Sequence, residues 1–494
     1  MKYISTRNKT VSISPSEAII QGISKDGGLF VPSILPKVDD LDTCMNMNYK
    51  ELAYMIMSKF FTDFESKELE DCIDKAYDNK FSTNKIVPIV KVEDVFFLEL
   101  FHGPTFAFKD MALSILPYLL KTAMKIRDTH KEIVILTATS GDTGKAALEG
   151  FANVEGIKII VFYPENGVSE IQKRQMITQE GDNTFVVGIN GNFDDAQKGV
   201  KDIFNDKEFV NYLDKNNYIL SSANSINIGR LIPQIVYYFY GYLTLLQQGH
   251  IEKNEKVNIT VPTGNFGNIL AAYYAKKMGL PVNMLICASN ENNILSDFFN
   301  TGIYDRRREL ILTSSPSMDI LISSNLERLL FHLSGERDKM IEEKMNQLSC
   351  QGYYKMENLN IKDFYGSFST EKEVSAIINK IFKKNNYLID PHTAVAYNVY
   401  EKYKMETKDT TKTIIASTAS PFKFGSKVAA AIGMDIEGKD QFSILEDMGT
   451  NANIAVPQAI KTLKHKKILH DNNCNIEDME QMVKMFLKVG GTND

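Results

Sequence analysis

One lysine of the chain lies in a setting that suits covalent chemistry. The run at 101–110 reads FHGPTFAFKD, so three phenylalanines surround Lys109. An amine with an ordinary pKa near ~10.4 is protonated at neutral pH, so a reactive lysine needs desolvation or a Schiff-base linkage. Most lysines are instead solvated on the surface. The choice between these alternatives depends on the other motifs of the chain.

Two further loops each follow a β-branched run and precede a helical pattern. The run 133–136 (IVIL) predicts a buried strand, which the polar loop TATSGDTG at 137–144 and a run of helix formers follow. The run 257–261 (VNITV) is followed by PTGNFGN at 262–268 and by a helical pattern that Gly279 ends. Because glycines before a helix let backbone N–H groups contact a phosphate, the second loop is a candidate phosphate site.

Gly144 and Lys145 look like the end of a nucleotide-binding P-loop, but the spacing excludes that motif. Thr139 stands where the motif needs a glycine, and Ala146 stands where it needs Ser or Thr. Neither loop has the G-x-G-x-x-G spacing of a dinucleotide site. We therefore expect no nucleotide at these loops, and ordinary turns remain the alternative.

Further motifs follow one another along nearly the whole chain. They are STRN at 5–8, KDGGLFVP at 25–32, the lysine motif at 101–110, SGDTG at 140–144, GNFDD at 191–195, NSIN at 224–227 with Arg230, PTGNFGN at 262–268, SPSMD at 315–319, PHTAVA at 391–396, and TASP at 418–421 with Lys423 and Phe424. In this ordered set the chain resembles the threonine synthase family, which are pyridoxal-phosphate enzymes of fold type II, similar to the β subunit of tryptophan synthase. The resemblance implies an α/β fold with two open, mostly parallel domains.

We expect three segments along the chain. Residues 1–94 are predicted to form a helix-rich N-terminal segment, and residues 95–223 a small α/β domain with the lysine and SGDTG loops. Residues 224–494 are predicted to form a large α/β domain with the phosphate loop and an inserted helical region at about 305–365. Ligands of open parallel sheets lie beyond the carboxyl ends of the strands, so we expect the cofactor between the two α/β domains.

The resemblance implies pyridoxal 5'-phosphate as the cofactor and assigns residues to it. Lys109 would hold the cofactor as a Schiff base and then serve as the catalytic base. Thr418 would place its hydroxyl beside the pyridine nitrogen. The cofactor phosphate would be bound mainly by the backbone N–H groups of Gly264, Asn265, Phe266, Gly267 and Asn268.

The residues implied for the substrate fall into two groups. The loop that would hold the amino-acid carboxylate contains Ser140, Gly141, Asp142 and Thr143. A second group contains Asn224, Ser225, Asn227 and Arg230. The guanidinium of Arg230 matches a phosphate of the substrate, and a solvated helix arginine is the alternative.

The reaction implied is conversion of O-phospho-L-homoserine and water to L-threonine and phosphate, the last step of threonine biosynthesis, by a lyase. One alternative is a serine or threonine dehydratase-type β-eliminase, which shares the lysine and the phosphate loop. A second alternative is a non-catalytic relative that binds phosphorylated ligands. A pocket for a substrate phosphate would separate the first alternative from the synthase.

Composition limits the partners that we expect. The net charge of −6 over 494 residues gives no basic surface for nucleic acid. No apolar run approaches the ~20 residues of a membrane span, and no signal-peptide pattern opens the sequence, so we expect a cytoplasmic protein without membrane contact. Five scattered cysteines and few histidines predict neither a disulfide framework nor a metal site. The roles of His102 and His392, and the choice between monomer and homodimer, remain open.

Overall fold

The chain folds around two main sheets. The structure is a computed structural model, which describes residues 1–139, 141–165, 168–357 and 359–489. The N-terminal part forms β1 (Tyr3–Ser5), β2 (Ser12–Ile13), α1 (Pro15–Gln21), β3 (Phe30–Pro32), α2 (Tyr49–Met57), α3 (Ser66–Ala76), β4 (Ile89–Val92) and β5 (Val95–Glu99). The strands β1, β2 and β3 form a small antiparallel sheet.

The next part of the chain alternates helices and strands. It forms α4 (Asp110–Leu113), α5 (Leu116–Ile126), β6 (Glu132–Ala138), α6 (Asp142–Phe151), β7 (Ile157–Pro164), α7 (Glu170–Ile177), β8 (Thr184–Ile189), α8 (Phe193–Asn205), α9 (Lys207–Lys215) and β9 (Tyr218–Ser221). This alternation is typical of a parallel sheet, because each crossover between parallel strands needs a long connection.

The rest of the chain continues the pattern with more helices. It forms α10 (Ile228–Leu231), α11 (Pro233–Gln247), β10 (Val257–Pro262), α12 (Gly267–Met278), β11 (Val282–Ser289), α13 (Ile294–Thr301), β12 (Ile303–Asp305), α14 (Leu326–Leu333), α15 (Asp338–Gln351), β13 (Tyr353–Lys355), β14 (Phe364–Phe368), α16 (Glu371–Asn385), α17 (Pro391–Thr407), β15 (Thr413–Ser417), α18 (Gly425–Ala431), α19 (Gln441–Ala452), α20 (Gln458–Lys461), β16 (Asn472–Cys474) and α21 (Met479–Leu487). Short 3₁₀ turns lie at Asp42–Cys44, Pro316–Met318, Pro421–Phe424, Thr462–His465 and Ile476–Asp478.

The two main sheets are mostly parallel. The larger has the strand order β14-β11-β10-β15-β5-β4, in which only β4 and β5 pair antiparallel. The smaller has the order β16-β8-β7-β6-β9 and is parallel throughout. Every residue of β5 and β10 is buried, as expected for strands covered on both faces. The prediction of two open, mostly parallel sheets is confirmed.

The strand-loop-helix units predicted at the two glycine loops are also confirmed. One is β6 followed by α6, and the other is β10 followed by α12, which ends at Gly279 with φ 118°. Lys109 follows β5, and Thr418 directly follows β15. The two glycine loops and the segments that contain Lys109 and Thr418 therefore all follow the carboxyl ends of parallel strands, where open sheets bind their ligands.

Sheet membership does not follow the order of the chain. Strand β5 pairs with β15 of the larger sheet, while β16, near the C-terminus, pairs with β8 of the smaller one. The division into 1–94, 95–223 and 224–494 stays a prediction. Within the described residues, no helix is both long and apolar enough to cross a membrane.

Candidate active site

The loop before Lys109 is joined to the loop after β15 by backbone hydrogen bonds. The N–H of Phe108 donates to the carbonyl of Thr418 at 2.8 Å, and the N–H of Ser420 donates to the carbonyl of Phe106 at 3.0 Å. Phe106 adopts a left-handed backbone conformation with φ 60°. These contacts fix the backbone of Lys109 beside Thr418, which is itself buried.

A buried carboxylate closes the same loop. Asp110 accepts hydrogen bonds from the hydroxyl of Thr105 at 2.5 Å and from the N–H of Thr105 at 2.8 Å. Burial raises the pKa of Asp110 to about 6. A Cβ at Gly103 would lie 2.5 Å from this carboxylate, so the loop has room only for glycine there.

The amine of Lys109 lies in a desolvated, charged pocket. The side chain is 10% exposed, and Nζ donates to Oγ of Ser317 at 2.9 Å. Oδ2 of Asp142 is more distant, at 3.5 Å from Nζ. Burial lowers the pKa of Lys109, and the neighbouring cations Lys423 and Arg230 lower it further against the opposing effect of Asp142. An amine with a lowered pKa can act as a nucleophile and as a base near neutral pH.

Asp142, the first residue of α6, is the hub of the polar contacts around this amine. Its Oδ1 lies 2.6 Å from Nζ of Lys423 and accepts from the side chain of Gln172 at 3.0 Å. Its Oδ2 accepts from the hydroxyl of Ser317 at 3.1 Å. Although burial opposes its ionisation, Lys423 and Lys109 hold the pKa of Asp142 well below its usual range.

The polar loop before α6 is organised by Thr139. Its hydroxyl oxygen accepts from the N–H of Gly141 at 3.0 Å and from the N–H of Gly144 at 2.9 Å. Gly141 has φ 132°, which residues with a side chain rarely adopt, and a Cβ there would lie 2.5 Å from Gln172. The Thr139 hydroxyl therefore holds the backbone at the start of helix α6, which begins at Asp142 beside the site.

The residues predicted to bind the substrate differ in their surroundings. Thr143 and Ser225 are half-buried and Asn224 is exposed, whereas Ser140 lies outside the described residues. Asn227 is fully buried. Its Nδ2 donates to the carbonyl of Ile19 and its Oδ1 accepts from the N–H of Gly229, each at 2.9 Å. The substrate contacts of these residues, and of Gly141 and Asp142, stay predictions.

Arg230 is a buried cation with an unused donor. Only 4% of the residue is exposed, and burial lowers its pKa to about 10. Its Nη1 donates to the carbonyl of Ala223 at 2.7 Å, while its Nε has no hydrogen-bond partner among the described residues. A buried guanidinium with an unused donor destabilises the folded protein unless an anion accepts that hydrogen bond. The structure thus excludes the solvated helix arginine considered from the sequence.

The loop at 264–268 is closely packed, and its backbone leads into the N-terminus of helix α12. A Cβ at Gly264 would lie 2.5 Å from the carbonyl oxygen of Ser317, and Phe266 has a left-handed backbone with φ 63°. The carbonyl of Asn265 accepts from the backbone N–H of Asn325 at 3.1 Å and from the side-chain amide of Asn325 at 2.9 Å. No side chain of the described residues caps helix α12 at this end, which leaves its N-terminal N–H groups available to a phosphate.

Asn268, in the first turn of α12, has a side-chain donor without a hydrogen-bond partner among the described residues. Its Oδ1 accepts from the hydroxyl of Tyr237 at 2.6 Å and from that of Tyr238. Two donors on one oxygen fix the orientation of the amide, so Nδ2 faces the opposite side, where it is buried and unsatisfied. This orphaned donor at an uncapped helix N-terminus fits the phosphate of a cofactor.

Several site residues had no role assigned from the sequence. They are Gln172, Ser317, Asp390, His392 and Lys423. His102, by contrast, bonds Ser82 at 2.9 Å and Glu99 at 2.8 Å, and neither contact involves Lys109. No cluster of metal ligands occurs among the described residues.

Comparisons with known proteins identify the family. Three family models match: "Threonine synthase N terminus" at residues 2–77, "Pyridoxal-phosphate dependent enzyme" at 82–418, and "Threonine synthase, C-terminal" at 393–480. Threonine synthase from Saccharomyces cerevisiae is 34% identical over 98% of this chain and 99% of its own length. The chain belongs to the threonine synthase family. Its cofactor is accordingly pyridoxal phosphate, and the predicted fold type is confirmed.

Other members of the threonine synthase family agree in sequence and fold. The crystal structure of PLP-bound threonine synthase from Brucella melitensis has a TM-score of 0.87 and 34% identity, and covers 98% of this chain and 99% of that one. The yeast enzyme structure also has a TM-score of 0.87, at 33% identity, with 99% of both chains covered. Threonine synthase-like 1 from Homo sapiens is 41% identical over 84% of this chain, which spans 58% of the human protein's length.

Proposed function

We propose that this chain is a threonine synthase that converts O-phospho-L-homoserine and water to L-threonine and phosphate. The substrate assignment rests on Arg230, a buried guanidinium whose Nε has no partner in the part of the chain that the structure describes, and which lowers the pKa of the nearby Lys109. A substrate phosphate would supply the missing anion. A β-eliminase acting on serine or threonine has no use for such a group.

The residues that would hold the cofactor fit its chemical parts. Lys109 would carry the covalent link, while Gly264, the helix end at Gly267 and Nδ2 of Asn268 would bind the phosphate. Thr418 would lie beside the pyridine nitrogen. Bound pyridoxal phosphate stabilises negative charge that develops at Cα of an attached amino acid.

Lys109 would be the group that moves protons. Its Nζ is buried, has a lowered pKa and lies among hydrogen-bond partners, so it can accept protons from Cα and Cβ of the substrate and return one at Cγ after phosphate leaves. The N-terminal turn of α6 would bind the substrate carboxylate. Asn224 and Ser225 lie a few residues from Arg230 and would line the same end of the substrate.

The test is an assay of purified protein with pyridoxal phosphate and O-phospho-L-homoserine. We expect equal amounts of threonine and phosphate, loss of both in Lys109→Ala, and retention of both in the exposed-lysine control Lys121→Ala. In a parallel assay with added threonine, release of 2-oxobutyrate by a protein that makes no threonine would assign the chain to the β-eliminases. Bound cofactor without any turnover would make it a phospho-ligand-binding relative. A cytoplasmic location and a monomeric or homodimeric state stay predictions.

A further inference from the structure

The hydroxyl of Ser317 lies between the two charged groups at the centre of the site. It accepts from Nζ of Lys109 at 2.9 Å and donates to Oδ2 of Asp142 at 3.1 Å. Asp142 is held ionised by Lys423, so its oxygens can only accept. The proton of the Ser317 hydroxyl therefore points at Asp142, and its lone pairs face the amine.

A buried histidine holds the backbone of Ser317. The N–H of Ser317 donates to Nε2 of His392 at 3.3 Å, so this ring nitrogen carries no proton. The ring proton is then on Nδ1, which lies 2.6 Å from Oδ2 of Asp390. The ring also packs against Phe424, with 5.0 Å between the ring centroids. His392 thus has one orientation, with its acceptor aimed at Ser317.

The carboxylate behind the histidine is fixed as well. Asp390 is fully buried, caps helix α17, and accepts from the N–H of Thr393 at 3.1 Å and from that residue's hydroxyl. The hydroxyl of Thr393 in turn lies 3.1 Å from that of Ser417, the last residue of β15. The N-terminus of α17 and the central strand β15 therefore fix His392, which in turn fixes the backbone of Ser317.

We propose that Ser317 is a further residue of the catalytic centre, which orients the amine of Lys109, and that His392 and Asp390 are positioning residues that act through it. A neutral amine has two N–H bonds and one lone pair. With one N–H on Ser317 and the other toward Asp142, the lone pair is directed away from both and is free to take a proton or attack a carbonyl carbon. This inference rests on the proposed role of Lys109 as nucleophile and base.

The test compares Ser317→Ala with Ser314→Ala. Ser314 is buried in the same segment, but its hydroxyl bonds Glu371 at 3.0 Å and does not contact Lys109. For each variant we would measure the rate at which the visible absorption of the cofactor-lysine link appears when apo protein meets pyridoxal phosphate. The affinity for the cofactor, the melting temperature, and kcat and KM for O-phospho-L-homoserine complete the set.

We expect Ser317→Ala to slow attachment and to lower kcat by roughly 10- to 100-fold, because a misdirected amine is a poor nucleophile and base. KM, cofactor affinity and melting temperature should change by less than about threefold or a few degrees. His392→Asn should share the loss. His392→Gln, whose amide oxygen reaches the place of Nε2, should recover part of it, and Ser314→Ala should match the parent protein.

Two outcomes would overturn the inference. Attachment rate and kcat of Ser317→Ala within about threefold of the parent would mean that the hydroxyl does not direct the amine. Losses matched by weaker cofactor binding and a lower melting temperature would mean that Ser317 only braces the phosphate loop. If the parent protein makes no threonine, the proposed function fails, while the attachment rate still reports on Ser317.

Discussion

Nζ of Lys423 lies 2.6 Å from Oδ1 of Asp142, and both side chains are buried. Lys423 belongs to the turn after β15 of the larger sheet, and Asp142 begins the helix after β6 of the smaller one, so this ion pair joins the two sheets at the candidate active site. Breaking a buried pair leaves a desolvated charge, which costs about 3–5 kcal/mol. We expect Lys423→Met to lower the free energy of unfolding by roughly that amount.

Urea unfolding of a double-mutant cycle would measure this coupling. Lys423→Met with Asp142→Asn should be more stable than Lys423→Met alone, since the carboxylate left without Lys423 is removed as well. Lys121→Met is the matched control, because Lys121 pairs with the exposed Glu155 at the surface. Additive effects of the two site substitutions would contradict an ion pair that stabilises the junction.

The buried carboxyl of Asp110 should make stability depend on pH. Its pKa is about 6 in the folded protein, against an ordinary value near ~3.9 in the unfolded chain, so the folded state keeps a proton that the unfolded state loses. Stability therefore falls as pH rises from about 4 to about 6, by about 3 kcal/mol, and levels off above. In Asp110→Asn this contribution disappears.

Urea titrations of Asp110→Asn and of the parent protein between about pH 4 and about pH 6 would measure the difference between their free energies of unfolding. As pH rises, we expect the parent protein to lose stability relative to Asp110→Asn. Asp71→Asn serves as the control, because Asp71 is an exposed carboxylate on α3. A flat difference for Asp110→Asn would mean that the pKa of this carboxyl is the same in the folded and unfolded states.

Much of the fold and part of the site could be predicted from the sequence. Local patterns located the parallel strands, the helix that ends at Gly279 and the two glycine loops, because these depend on neighbouring residues. Lys109 stood out through its flanking phenylalanines. The start of α6 was harder: the structure begins the helix at Asp142, inside the polar loop predicted at 137–144, since the hydroxyl of Thr139 replaces an ordinary cap.

The contacts between distant positions could not be predicted. Ser317 meets Lys109 across 208 residues of chain, and no local pattern specifies that approach. Lys423 looked like an ordinary motif residue, although burial against Asp142 makes it the main counter-charge of the site. The same applies to the tyrosine pair that orients Asn268. Tertiary packing decides these relationships, and one sequence carries no signal for them.

Gly264 should be needed for cofactor binding on steric grounds. An added Cβ would lie 2.5 Å from the carbonyl oxygen of Ser317, and backbone on both sides cannot yield without displacing the phosphate loop. We expect Gly264→Ala to weaken pyridoxal phosphate binding by roughly tenfold or more, which corresponds to at least ~1.4 kcal/mol. Fluorescence titration of the apo protein would measure it.

The control for Gly264→Ala is a glycine whose replacement causes strain away from the site. Gly249 follows helix α11 and has φ 70°, and no neighbouring atom of the described residues would lie within 4 Å of an added Cβ. Gly249→Ala should lower the melting temperature slightly, because alanine is strained at this φ, and leave cofactor affinity unchanged. Equal cofactor affinity in both variants would show that the loop tolerates a side chain at 264.

Arg230 should reveal its ligand through opposite effects on stability and binding. Without an anion its buried charge is destabilising, since burial alone already lowers its pKa to about 10. We therefore expect Arg230→Met to raise the melting temperature of the apo protein while raising KM for O-phospho-L-homoserine by roughly 100-fold, the loss of about 2–3 kcal/mol expected for a charge-assisted pair.

Inorganic phosphate provides the decisive comparison for Arg230. Binding to the folded state alone stabilises a protein by mass action, so millimolar phosphate should raise the melting temperature of the parent more than that of Arg230→Met. Arg127→Met, at an exposed arginine, is the control and should respond to phosphate as the parent does. If Arg230→Met melts at a lower temperature and still responds fully to phosphate, the guanidinium is a structural brace for the carbonyl of Ala223, and the substrate phosphate binds elsewhere.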